Sequence, residues 1–517
     1  MVSTGEFQSV LLGEPLSLEV VEAVALNRAT PELAPDARAR LSTSRAAVER
    51  LLDAGDAAPR LYGINTGFGA LADQRIGATK MRELQLNLIR SHCSGVGSPM
   101  SEPEVRAMML LRAHTLALGH SGVRPAVVDL LIGMLKSGII AYVPSQGSVG
   151  ASGDLAPLAH LALAMLGQGR VSFQGEWMDA GEALARAGLA PIQLEAKEGL
   201  SLINGTQFMV ALGVLGVLES LRLSTVADIA GAMSLEALKG SERPFEERLM
   251  KLRPHPGQMV SAANLRRLLS DSEIMVSHHD CDKVQDPYSL RCMPQVHGAT
   301  RDALEWAREV LEREVNSVTD NPCIFESGEV VEVVSGGNFH GQPVAYALDL
   351  AAIAVSELAD ISERRVEQLV NPALSSGLTP FLARESGLHN GFMIAQVAAA
   401  SLVSENRVLC HPASTDSIPS SAGREDHVSM GSVSARKLGA IVTNVRRALA
   451  IELLTASAGL DQRAPLRPGT GAAAAHSFIR THIAPLYDDR PLYEDIEQVA
   501  QLIKNGELLK AVEARIG

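Results

Sequence analysis

The sequence predicts a mainly α-helical protein, a long central helical bundle with a smaller mixed region at its N-terminal end. Three observations predict it. Apolar residues recur at helical spacing over stretches of about 20 to 30 residues. Hydrophobic residues make up 46% of the 517 residues and charged ones 20%, enough apolar material for a large core. Strand signals are few and short, as at Glu329–Val334.

The elements follow in chain order. Met81–Arg90 reads as a helix. Ser101-Glu-Pro-Glu104 forms a capping box with proline in the first turn, ahead of Val105, Met108, Met109 and Ala113. Pro125 opens a further helix that ends near Gly138. Gly199–Leu218 carries no charge, but only Phe208–Leu218 is continuously apolar or glycine; that run is too short to span a bilayer and reads as buried helix. Three longer helices are predicted at about Gly298–Val318, Pro343–Val370 and Gly431–Leu460. In the first, Leu304, Ala307, Leu311 and Val315 share one face, and the second stops at Asn371-Pro372, as helices before proline do. Helices of about 30 residues reach about 45 Å, and several such helices rich in Ala and Leu make a bundle. Their broad apolar faces predict contacts between copies. Residues 1–200 are read as the N-terminal region and 201–517 as the long-helix bundle with a C-terminal helical region.

Composition narrows the function. The formal net charge is −13 and aromatics are 3%, so phosphate backbones are repelled and base-stacking surfaces are scarce. Five dispersed cysteines without a C-x-x-C pair fit a reducing compartment, and the first residues carry no basic or apolar leader segment. Between the helices lie polar, glycine-rich segments where chemistry sits on a rigid frame: 62–69, 147–154, 285–295, 336–341 and 414–430.

Gly147-Ser-Val-Gly-Ala-Ser-Gly-Asp154 is the most informative of these. The Gly153 nitrogen has no neighbouring side chain to shield it and can close onto the Ala151 carbonyl in a tight bend. With water lost from Ser152, closure gives a conjugated methylidene-imidazolone; the alternative is an ordinary turn before a helix starting near Leu155. Tyr62-Gly-Ile-Asn-Thr-Gly-Phe-Gly69 fits no phosphate-loop or dinucleotide fingerprint, and Tyr62 is either a base or a packed aromatic. Arg291, three residues after Tyr288, can grip a carboxylate with two hydrogen bonds or form a surface ion pair. His278 and His279 are adjacent and lack metal-ligand spacing, so no metal is expected.

Taken together, the segments resemble the aromatic amino acid lyases, and within them the branch that acts on histidine. The resemblance is carried by G-S-V-G-A-S-G-D-L-A-P-L at 147–158, Y-G-I-N-T-G-F-G at 62–69 and L-I-N-G-T-Q at 202–207. It continues through D-K-V-Q-D-P-Y-S-L-R-C at 282–292, D-N-P at 320–322, G-G-N-F-H at 336–340 and E-D-H-V-S-M at 425–430. It implies an aspartase/fumarase-like helical fold, a cytoplasmic homotetramer with sites built from several subunits, and elimination of ammonia from an amino acid. The implied prosthetic group is 4-methylidene-imidazol-5-one formed from Ala151, Ser152 and Gly153, without metal or nucleotide. Tyr62 is then the base for the β-proton and Tyr288 a second tyrosine near the electrophile. Arg291 holds the substrate carboxylate, Asn204 and Gln285 stabilise the ring and orient the substrate, and Phe339 lines the pocket.

Two positions speak to histidine as substrate. His92, after Ser91, resembles the residue that faces the imidazole. Glu425 stands where the phenylalanine and tyrosine enzymes usually carry glutamine; a carboxylate suits an imidazole N–H, whereas against a bare phenyl ring it would be buried unpaired at a cost. Arg424 departs from the usual glutamine and is expected to face away from Glu425. A tyrosine or phenylalanine lyase, an aminomutase and an uncyclised helical scaffold are the alternatives. Positive charge from Arg291 and helix N-termini is expected to stabilise the Tyr62 phenolate.

Overall fold

A computed structural model describes residues 9–53, 55–281, 283–328 and 330–517. Among them are twenty α-helices and only short strands of two to five residues. Residues 1–8, on which the expectation of no leader segment rests, Asp282 of the 282–292 motif and Glu329 of the expected strand lie outside the described residues; the remainder of that strand is Val330–Val334, antiparallel to Cys323–Ser327.

Local signals set the helix ends. In Glu102–Ala117 the Glu104 carboxylate accepts from Ser101 N at 2.8 Å, closing the capping box. Pro125–Ser137 stops at Gly138, whose φ of +71° is the left-handed cap that glycine supplies without strain. Met81–His92 runs two residues past the expected end. The three expected long helices are Met293–Val315, Gln342–Val370 and Gly431–Asp461. A fourth, Gln207–Ala237, extends far beyond the apolar run that announces it. It is long and apolar enough to cross a membrane, but 72% of its most apolar window is buried in the protein.

The chain divides into two compact units. The first runs to Leu215 and includes Arg308–Asp349 and Pro412–Arg436; the second comprises Gly216–Ala307, Leu350–His411 and Lys437–Gly517. In the second unit the long-helix segments pack as a bundle tied by buried polar groups. Ser234 Oγ and Arg365 both donate to Glu452, at 2.7 and 2.5 Å. Asp228 accepts from Arg301 at 2.7 Å and lies 2.8 Å from His297 Nδ1, and Thr300 Oγ1 donates to the Ala354 carbonyl. His278 engages the Ile274 and Gly240 carbonyls through its two ring nitrogens.

The first unit holds its own buried ion pair, Lys197 to Asp320 at 2.9 Å, with both side chains fully buried. Burial pushes the Asp320 carboxyl up, but Lys197 and Arg112 outweigh it and hold the group below its ordinary value. Asp320 Oδ1 lies 3.4 Å from Asn204 Nδ2, and Arg112 donates to the Asn204 carbonyl at 2.7 Å. Lys197→Met is therefore expected to cost about 3–5 kcal/mol, the loss from stranding one partner of a buried pair, read as a lower urea midpoint. Replacing Asp320 by Leu in the same chain should recover part of it.

Candidate active site

The segment from Gly147 to Asp154 turns sharply before the helix Ala156–Met165. Ser152 has φ +48°, Gly153 +77° and Leu155 +29°, and the two non-glycine residues adopt that region only under constraint. The constraint is a second strand of chain. Asp154 N donates to the Gly205 carbonyl at 2.8 Å and Gly205 N to the Ser152 carbonyl at 3.3 Å. The approach is so close that a Cβ at Gly153 would lie 2.2 Å from Gly205 O. Only glycine fits here.

Gly205 is itself positioned from both sides. Asn204, just before it, donates through Nδ2 to the Asn321 carbonyl at 2.8 Å, and its buried Oδ1 has no partner. Just after it begins Gln207–Ala237. Asp154 caps this helix, its Oδ2 accepting from Phe208 N at 2.8 Å and Met209 N at 3.1 Å. Burial pushes the Asp154 carboxyl up to about 8 although both amides pull the other way.

Three of the expected site residues meet around this turn. Ser152 Oγ donates to Glu425 Oε1 at 2.9 Å, and Ser420 Oγ donates to Glu425 Oε2 at 2.5 Å. Gly69 N lies 3.5 Å from the Tyr62 phenol oxygen and donates to it. Burial is the largest influence on this phenol and raises its pKa; the Gly69 amide lowers it, and the charge of Glu425 raises it again. Within this unit burial and the Glu425 charge thus favour the neutral phenol. Arg424 does face away from Glu425, its guanidinium 3.2 Å from Asp73 Oδ2 at the surface.

His92 ends the helix Met81–His92, half-buried, with Nδ1 2.8 Å from the Leu88 carbonyl. A carbonyl only accepts, so Nδ1 carries the proton in this bond and Nε2 is the basic nitrogen of the neutral ring. Phe339 is half-buried in the 336–341 turn. The next residue, His340, stacks on His427 with ring centroids 5.8 Å apart and meets the His427 carbonyl through Nε2, 3.2 Å away. That ties the Phe339 turn to the segment carrying Glu425.

Gln285, Tyr288 and Arg291 belong to the second unit. Tyr288 is 70% exposed, and its ring lies 4.6 Å from the Arg291 guanidinium carbon. Arg291 Nε donates to the Asp286 carbonyl at 2.9 Å, which leaves the two terminal nitrogens for another partner. Gln285, Arg291 and Cys292 line an open cavity of about 810 Å³ together with Leu249, Leu252 and Val284.

Gly205, Asp154, Ser420 and Ser421 carry no mark in the sequence. Gly205 and Asp154 lie inside motifs whose neighbouring residues bear the chemical signal, and the serines stand in a polar loop where nothing in the spacing marks them.

The aromatic amino acid lyase family model matches residues 16–481. A histidine ammonia-lyase of Sorangium cellulosum is 64% identical over 511 residues, 98% of this chain and 99% of that protein. The crystal structure of histidine ammonia-lyase from Trypanosoma cruzi matches with TM-score 0.91 at 44% identity, covering 99% of this chain and 96% of that one. Tyrosine aminomutase from Streptomyces globisporus matches with TM-score 0.91 at 38% identity, over 98% and 99%. The fold of the chain is the helical aspartase/fumarase-like one. With the family model spanning most of its length, the chain belongs to the aromatic amino acid lyases.

Proposed function

We propose that the chain eliminates ammonia from L-histidine to give trans-urocanate, as a cytoplasmic homotetramer, with Ala151, Ser152 and Gly153 forming a 4-methylidene-imidazol-5-one. The observation that carries this reading is the meeting of Ser152, Glu425 and Tyr62: a hydroxyl 2.9 Å from a carboxylate whose charge also acts on a half-buried phenol. The high identity to proteins named histidine ammonia-lyase along nearly the whole chain supports the choice of substrate.

The tripeptide fits the group it would form. Ser152 and Gly153 already bend through positive φ, glycine leaves the attacking nitrogen unshielded, and Asn204 Oδ1 beside Gly205 is a buried acceptor without a partner. The ring supplies an electrophilic methylene, a function that ordinary side chains lack.

The chain's residues do the rest. Tyr62, as phenolate, takes the β-proton on its oxygen; the β C–H electron pair becomes the new Cα=Cβ bond, and the C–N pair departs with the substrate's ammonium nitrogen as ammonia. Glu425 accepts the N–H of the substrate imidazole, a charge-assisted bond that a phenyl ring has no means to make. His92, its Nδ1–H committed to Leu88, offers Nε2 to the same imidazole. Arg291 grips the carboxylate with its terminal nitrogens, while Tyr288, Gln285 and Phe339 complete the pocket in the assembled tetramer.

Intact mass and a substrate panel test the reading together. The native chain is expected two waters lighter than its sequence and Ser152→Ala unmodified. Supplied separately with histidine, tyrosine and phenylalanine, the native chain should produce the ultraviolet band of urocanate. An unmodified native chain would favour a helical scaffold, and coumarate or cinnamate without urocanate would overturn the assignment to histidine.

A further inference from the structure

We propose that the turn from Ser420 to Glu425 is a shared mount for the two acid–base groups of the site, with Ser421 as positioning residue for Tyr62 and Ser420 for Glu425. The inference rests on the reading of Tyr62 as base and Glu425 as acceptor for the substrate ring.

The mount is visible as two adjacent serines that face different partners. Ser420 and Glu425 pair across the turn, Ser420 N donating to the Glu425 carbonyl at 2.8 Å and Glu425 N to the Ser420 carbonyl at 3.3 Å. The Ser420 hydroxyl adds a third bond, to the free side of the Glu425 carboxylate. Glu425 is thereby held by main chain and side chain at once. Ser421 reaches the other way. Its Oγ accepts from Ala70 N at 3.2 Å, and a Cβ at Gly69 would lie 2.2 Å from that oxygen. Gly69 is the residue whose amide donates to the Tyr62 phenol oxygen. Ser421 therefore fixes the short helical turn Gly69–Leu71, and that turn aims the donor at the base.

Backbone strain points the same way. Ser421 and Ala422 both hold left-handed conformations, with φ of +49° and +52°, next to Gly423 at +83°. Each such non-glycine residue costs about 1–3 kcal/mol and persists only where its surroundings over-determine it. Glycine at 421 would relieve the strain but would lose the hydroxyl that meets Ala70. The surface pair of Arg424 with Asp73 is a second tie to the same loop, but exposed pairs of this kind contribute little.

Among the described residues of this unit, Glu425 is the charged group that acts on the phenol, and the Gly69 amide is the donor that opposes it. Loosening the Gly69 turn thus leaves Glu425 unopposed and makes phenolate harder to form. Loosening Ser420 frees the carboxylate instead.

Ser421→Ala, Ser421→Thr and Ser420→Ala test this in the full chain, with intact mass, kcat and KM for histidine followed from neutral to strongly alkaline pH. Ser421→Ala should keep the two-water loss and KM within about twofold. Its kcat at neutral pH should fall about tenfold for each unit by which the base's pKa rises, its rising limb should move to higher pH, and Ser421→Thr should restore both. Ser420→Ala should raise KM and leave that limb in place. A Ser421→Ala profile superimposable on the native one, whether level with it or uniformly lowered, would overturn the inference, because a merely structural defect does not recover with alkali. A native chain that makes no urocanate would overturn the parent reading as well, a result distinct from the first.

Discussion

Tyr62→Phe is expected to lower kcat for histidine by about 10²- to 10⁴-fold, the contribution of a positioned general base, with little change in KM. The ring remains to fill its half-buried place, so the fold should be kept and the loss should be chemical. The phenol's pKa lies above its ordinary value because burial and then the Glu425 charge favour the neutral form, with only the Gly69 amide opposing them. A base works deprotonated. At neutral pH the phenolate fraction is therefore small, and it grows about tenfold per pH unit until the pKa is reached. The native kcat should climb through the alkaline range, and in Tyr62→Phe that climb should vanish. Stopped assays across pH with both proteins check it; a rising limb that survives in Tyr62→Phe would assign the base elsewhere.

Glu425→Gln carries the second large effect. The amide keeps the shape and one oxygen acceptor for Ser420, but it loses the charge. A hydrogen bond to a charged group contributes about 1.5–3 kcal/mol, so kcat/KM for histidine should fall roughly 10- to 150-fold. Removing the charge also removes one influence that raises the phenol, so the alkaline limb should move to lower pH, opposite in sign to Ser421→Ala. Kinetics with histidine, tyrosine and phenylalanine separate the outcomes. An unchanged preference for histidine would mean that Glu425 does not read the ring.

Much of the fold was legible because its signals are local. The capping box at Ser101, Pro125 with Gly138, and the long apolar periodicities each act within a few residues. Gln207–Ala237 was not, because beyond Leu218 it carries isolated charged residues that are met by distant partners. Glu219 pairs with Arg446, Asp228 with Arg301 and His297, and Glu236 accepts from Ser272 and from Gly469 N. A window of sequence reads those charges as the end of a buried helix; the partners lie up to 233 positions away.

The candidate site divides along the same line. Short motifs carry the residue types, so Tyr62, Ser152 and Glu425 are legible without their geometry. The sign of the field at Tyr62 was not readable, since it depends on which charge lies closest in space. Ser420 and Ser421 were invisible for a related reason. Their role comes from a turn that folds back on the 62–71 loop, some 350 residues earlier.

The contact between Gly153 and Gly205 has a genetic consequence. Every missense change reachable by one nucleotide from a glycine codon adds a Cβ, and at Gly153 that atom would fall 2.2 Å from a backbone oxygen, which has no rotamer by which to yield. At Gly205, already at φ +143°, the added atom would fall 2.5 Å from Gln207 Oε1. Neither position offers selection an intermediate step. In a saturation library scored for growth on histidine as nitrogen source, the two codons should stand out as a pair of blank columns, while the neighbouring loop positions keep a graded tolerance.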